Sequence, residues 1–222
     1  MSKISRLNSY HLVDNFPKDI SIFRRILGNI IFFIFITKVT RRKNHLIKDD
    51  YVSSKALIKK GDIILVGGFR AISGIFMGKF FTHSLLYIGD NKCIHADADG
   101  VDLLPFEELF GQYDSLLILR PQIKNNYEQT IEKVINLAEQ QIGKAYNFYF
   151  ERREDRYICT ELIVSVFKKT GVDLGVGPKK RDKKDWFRVF SRIKKAIKAD
   201  DFLKGNLEMI FVSRRIKRKI KS

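Results

Sequence analysis

The sequence predicts an α+β fold in which an antiparallel sheet is packed by helices. Strand-like runs bounded by glycine turns gather between residues 61 and 121, stretches of helical period follow them, and few connections are long crossovers. With 222 residues, 45% apolar and 30% charged, the chain has the balance of one globular domain with added ends. Collagen-like and wholly disordered classes are excluded.

The ends carry the charge. Residues 1–50 have a net charge of +6, residues 51–175 of −1 and residues 176–222 of +12. A nucleic-acid fold is usually basic in its readout domain, so this distribution argues against a nucleic-acid partner. Within the first part, Ile26–Thr37 (ILGNIIFFIFIT) is apolar, with Arg24 and Arg25 before it and Lys38, Arg41, Arg42 and Lys43 after it. It is shorter than the about 20 residues that cross a bilayer, and no small-residue cleavage site follows it. Either it is a helix packed on the core, or residues 20–43 lie in the interface of an anionic membrane. Ile31, Phe32, Phe33 and Ile34 cannot all share one side of a helix, which keeps the second reading open.

The expected organisation is therefore a basic N-terminal extension with an apolar helix (1–57), a folded domain (58–213) and a basic tail (214–222). Gly61-Asp62 is a turn, Ile63–Val66 a strand, and the glycine-bearing stretch to Lys79 an apolar loop. Phe81–Ile88 and Cys93–Ala96 form a hairpin about Gly89-Asp90-Asn91-Lys92. Pro105 heads a short helix over Phe106–Phe110, and Ser115–Leu119 is a strand closed by Arg120-Pro121. Ile131, Val134, Ile135, Leu137, Ala138 and Ile142 have helical spacing, stopped at Gly143. Tyr146–Tyr157 is an aromatic, charged connection, and Thr160–Thr170 is a helix ended by Gly171. A basic amphipathic insertion covers about 179–198, with Trp186, Val189, Phe190, Ile193 and Ile197 near helical spacing, and Leu207–Val212 is a final strand. Residues 179–222 are thus a second candidate contact for an anionic membrane.

Two histidines sit in the hairpin. The turn places His83 opposite a residue between 95 and 98, so His95 is its cross-strand partner or one diagonal away. Such a pair serves as an acid/base residue with its orienting partner, or as two half-buried imidazoles that only hydrogen-bond. Cys159, in Tyr157-Ile158-Cys159-Thr160-Glu161-Leu162, stands at a predicted helix start. The macrodipole and free first-turn amides there favour a thiolate and can hold an oxyanion. A lone cysteine is more often a small core hydrophobe, and Cys93, mid-strand, fits that role. Two cysteines exclude a disulfide scaffold and suit a reducing compartment, so the expected location is cytoplasmic with peripheral membrane contact. Asp97, Asp99 and Asp102 lack the glycine and glutamate placement of a calcium loop. His83, His95 and Cys159 make a weaker zinc set than a catalytic one. Neither metal nor cofactor is expected.

Gly61-Asp62-Ile63-Ile64, Thr82-His83-Ser84-Leu85-Leu86-Tyr87-Ile88-Gly89 and Ile94-His95-Ala96 with Gly100-Val101 resemble the permuted papain-like branch of the NlpC superfamily. That branch includes YiiX/YebB-like proteins, a related poxvirus virion protein and, more distantly, lecithin–retinol acyltransferase. The aromatic patch Tyr146–Phe150, the Tyr157–Leu162 motif (similar to a Tyr-Cys-Ser-Glu-Leu type with one residue inserted) and Ala199-Asp200-Asp201-Phe202 extend the likeness over about residues 58 to 213. The resemblance implies a circularly permuted papain-like fold, Cys159 as nucleophile, His83 as general base and His95 in the third, polar position. YiiX-like members often carry Glu at that position, whereas the acyltransferases carry His at the same interval of twelve residues. Tyr157 and Tyr146 are candidates for the oxyanion or substrate.

The expected activity is a cysteine-dependent hydrolase or acyltransferase acting on an amide, ester or thioester of a lipid, lipidated or peptide substrate. Two rivals remain at this point: a lipid- or peptide-binding module docked on membranes without turnover, and a basic structural protein associated with nucleic acid.

Overall fold

The computed structural model describes residues 11–37, 46–68, 80–151, 153–177, 196–214 and 216–217. The apolar loop after Gly68, most of the basic insertion with Trp186, and the end of the tail lie outside the described residues. Six strands form one antiparallel sheet in the order β4-β3-β2-β1-β5-β8. They are β1 (Ile63–Gly67), β2 (His83–Gly89), β3 (Lys92–Asp97), β4 (Gly100–Pro105), β5 (Ser115–Pro121) and β8 (Leu207–Val212). A small parallel ribbon, β6 (Ala145–Tyr146) with β7 (Arg156–Tyr157), lies apart from it. The helices are α1 (Ile22–Ile36), α2 (Lys48–Leu57), α3 (Glu108–Gln112), α4 (Tyr127–Glu139) and α5 (Cys159–Lys169), with a 3-10 turn at Ala199–Lys204.

Strand alternation divides the apolar side chains between two faces. Ile63, Leu65, Leu86, Ile94, Ala96, Leu117 and Leu119 pack under α4, α5 and Phe202. Ile64, Val66, Leu85, Cys93, Leu104, Leu116 and Ile118 pack on the other face with Phe106, Leu109 and Tyr51. Every residue of β1 is buried, as a central strand covered on both faces must be. The hairpin turns through three consecutive left-handed residues, Gly89, Asp90 and Asn91, the residue types that tolerate positive φ.

Asp62 fixes the start of β1. Its buried carboxylate accepts the Lys59 amide at 2.8 Å and a two-pronged pair from Arg120, Nε at 2.8 Å and Nη2 at 2.7 Å. Burial pushes this carboxyl up, and Arg120 and the amide pull against it.

Several elements differ from the sequence expectation, among them the short helix, which is Glu108–Gln112 and not Phe106–Phe110, and the connection after Gly143, which carries β6 and β7. α1 begins at Ile22, before the apolar run, because the Ser21 hydroxyl caps it by accepting the Arg24 amide. α2 has no apolar stripe to announce it. Asp50 holds its first turn by accepting the Ile47 amide at 3.2 Å, and Tyr51 supplies its contact with the sheet. The aspartate-rich stretch after β3 is a turn into β4, with the Asp99 amide on Asp97 Oδ1 at 2.9 Å and six residue pairs joining β3 to β4.

Candidate active site

The site forms where β2 and β3 part. Their pairing runs from Gly89↔Lys92 to Leu86↔Ile94 and stops there, while β2 continues on β1 and β3 on β4. Tyr87 donates its amide to Asp62 of the β1 side, so alternation turns the Ser84 N–H toward the side where β3 has left. Cys159, the first residue of α5, fills that gap. The amides of Ser84, Thr160 and Cys159 itself, and the Ser84 hydroxyl, all bear on its sulfur. The buried Ser84 Oγ makes no well-formed hydrogen bond among the described residues, so the thiol is the polar group it serves.

His83 Nε2 and His95 Nδ1 are 3.1 Å apart, with the rings at 87°. The two histidines are thus brought together across the splayed hairpin, His95 one diagonal from the position opposite His83. The Tyr113 ring lies parallel to His83 with centroids 6.3 Å apart. Both histidines share strand parity with Leu85, Tyr87 and Cys93, whereas Ser84 points to the α5 side. Among the described residues no hydrogen bond joins the sulfur to His83, whose neighbour along β2, Ser84, supplies two of the donors on the thiol.

Electrostatics correct one expectation. Cys159 is 2% exposed, and burial raises its thiol above the ordinary value despite the amides, which act in the opposite direction. The helix start does supply thiolate-favouring donors, but a closed site outweighs them. Burial, with His95 as the second cause, holds His83 well below 6.5. At neutral pH the resting pair is a thiol and a neutral imidazole. Cys93, buried on the far face, is pushed much higher by burial alone.

The remaining candidates separate. Tyr146 is half-buried; burial first, and then the neighbouring Cys159, Asp97 and Glu161, raise its phenol strongly. Tyr157 turns into the core instead: its hydroxyl donates to Gln141 Oε1 at 3.1 Å, which commits the proton that an oxyanion would need. Thr160 likewise donates to the Ile197 carbonyl at 2.8 Å. Ser84, Tyr113 and Asp97, the last in charge range of His95, are neighbours that sequence reasoning missed. Only Ser84 had a signal, its place next to His83. Among the described residues no group of three or more His, Cys, Asp or Glu could hold a metal ion.

A family model described as permuted papain-like amidase enzyme, YaeF/YiiX, C92 family, matches residues 57–183. The crystal structure of metalloprotein yiiX from Escherichia coli O157:H7 aligns with a TM-score of 0.54 at 17% identity, covering 69% of this chain and 96% of that one. No curated protein is matched. The likeness to the solved structure extends to its fold.

Proposed function

The chain belongs to the permuted papain-like amidase family, and from that premise we propose that it cleaves an amide through a Cys159 thioester, with His83 as base and His95 as its orienting partner. The observation that supports the reading is the sulfur of Cys159 at the head of α5, ringed by three amides and by the hydroxyl of Ser84, the chain neighbour of His83, which itself lies 3.1 Å from His95. In the tautomer this mechanism requires, His83 Nε2–H donates to His95 Nδ1, and His83 Nδ1 is left to accept a proton.

On substrate entry His83 turns Nδ1 to the thiol and takes its proton as the S–C bond forms, and the carbonyl electron pair moves to oxygen. The helix-start amides, including that of Cys159, receive the developing oxyanion. The tetrahedral species collapses with loss of the amine, which leaves with the proton from the His83 imidazolium. Water, deprotonated by His83, then releases the acid; an amine or hydroxyl acceptor in its place gives acyl transfer. Because the resting groups are neutral, the proton moves with attack rather than before it. A lipid or lipidated acyl group is the favoured substrate: the aromatic Tyr146 lies near the sulfur, and Phe148 and Tyr149 of the same loop continue into the apolar cluster under α1.

Purified protein incubated with a series of acyl amides should release amine, fastest with long-chain acyl groups, and Cys159→Ala and His83→Ala should each lose at least about 10³-fold. Full turnover by Cys159→Ala would remove the nucleophile. The second reading is a binding module of the same fold, favoured by the raised thiol; tight acyl-amide binding with no amine released from the wild type would establish it.

A further inference from the structure

We propose that α1 is an in-plane anchor that docks this protein on an anionic lipid bilayer. Its inner side is fixed to the domain. Phe32 packs with Val13, Ile20, Phe148 and Tyr149, and Arg24 Nη2 pairs with Glu151 Oε1 at 2.7 Å. The Arg24 guanidinium also lies 4.2 Å from the Tyr149 ring centroid. Gly28 permits the approach: a Cβ there would stand 2.7 Å from the Phe16 ring.

Among the described residues no element covers the outer side. Phe23, Ile26, Leu27, Ile30 and Ile34 fall within about 100° of one another on the helix and are all exposed, Phe23 at 80%, Ile26 at 54% and Ile30 at 49%. Scattered surface leucines are ordinary, but five aligned apolar side chains are a contact surface.

Charge selects the occupant. α1 contains no acidic residue, Arg24 and Arg25 stand in its first turn, and Lys38, Arg41, Arg42 and Lys43 follow it in sequence. The first 50 residues carry +6 and the last 47 carry +12 around a near-neutral middle, the pattern that an anionic headgroup layer attracts. α1 has 15 residues, and no helix among the described residues is long and apolar enough to cross a membrane, so the stripe lies at the interface instead of spanning it. A second copy of the chain would bring the same basic ends together.

The substituted side chains, Phe23 and Ile30, are exposed on the outer side of α1 and belong to neither the catalytic set nor the aromatic loop, so the test reads docking separately from the catalytic chemistry. The test is cosedimentation of the full chain with vesicles containing about one quarter phosphatidylserine, against pure phosphatidylcholine, at low and high salt. Wild type should bind the anionic vesicles about tenfold or more tightly than the neutral ones, and salt should weaken that binding. The double variant Phe23→Glu, Ile30→Glu should lose at least about tenfold with an unchanged far-ultraviolet dichroism spectrum and unchanged Cys159 labelling. Equal binding by the variant would leave docking to the basic tails and overturn the role of the stripe. Absence of vesicle binding by wild type, or a lipid-free dimer that the variant makes monomeric, would overturn it as well.

Discussion

Replacing His95 with Leu isolates the part played by the second histidine. The residue is 2% exposed, and Leu approximates its volume, so the change removes an acceptor more than it opens a cavity. At rest, with the His83 ring neutral, the 3.1 Å bond contributes about 0.5–1.5 kcal/mol. Once His83 has taken the thiol proton the same bond is charge-assisted, at about 1.5–3 kcal/mol. Only the difference, about 1.5 kcal/mol, is specific to the transition state and corresponds to roughly tenfold in rate. Loss of the ring orientation that His95 imposes extends the expectation to about 10- to 100-fold in kcat, with KM within about twofold. The assay is the release of amine from an acyl amide under saturating conditions, with thermal melting as a control. His95→Gln, which keeps an acceptor oxygen, should recover part of the loss. A kcat within twofold of wild type for His95→Leu would refute the orienting role. A loss as deep as that of Cys159→Ala would refute it too, by making His95 the base.

Further expectations follow from the resting protonation states and the buried pairs. His83 is held well below 6.5 in the folded chain, so the unfolded chain binds more protons as pH falls through 6.5. Stability from this group is therefore complete above that pH and lost below it, and denaturant titrations from pH 7.5 to 5 should show a smaller decline in His83→Gln. Because burial raises Cys159, iodoacetamide alkylation of the free protein should climb steadily above pH 9 in place of an acid plateau; a plateau reached below pH 6 would indicate a preformed ion pair. Arg120→Met leaves the fully buried Asp62 carboxylate without its two-pronged partner and should cost about 3 kcal/mol in urea unfolding, whereas the pair Asp62→Asn, Arg120→Met should cost less. Gly61→Ala should lower the melting temperature, since φ is +87° and the new Cβ would lie 2.4 Å from Ile131 Cδ1.

Much of the fold was legible because its signals are local. The Gly89-Asp90-Asn91 turn fixed the hairpin register and with it the meeting of His83 and His95. The Ile131 and Val134 periodicity found α4, and the apolar run Leu207–Val212 was the last strand to the residue. β4 was missed because its inward residues alternate with Asp102 and follow an aspartate-rich turn, so that no continuous apolar run marks it. α2 was missed because a capped polar helix needs little apolar pattern when its inward residues are Asp50, Tyr51 and Ser54.

At the candidate site, Cys159, His83 and His95 were singled out from residue type, turn geometry and family likeness, and the 3.1 Å approach of the two histidines follows from the turn. The direction of the thiol shift was not. Helix-start donors are visible in sequence, but the burial that outweighs them comes from the β2–β3 split, a tertiary feature. Tyr157 misled for a related reason: it adjoins the cysteine in sequence, yet its partner is Gln141 on the turn after α4. Tyr113 stacks on His83 from thirty residues away, and no local pattern connects them.

The account rests most directly on an acyl group carried by one sulfur. Wild-type protein mixed with a long-chain acyl p-nitrophenyl ester, quenched in acid within the first turnover and digested, should show a thioester on the peptide containing Cys159. His83→Ala should slow its appearance, and Cys159→Ser should lack it. Acylation found on Cys93, or turnover with no acyl adduct on either cysteine, would contradict the account.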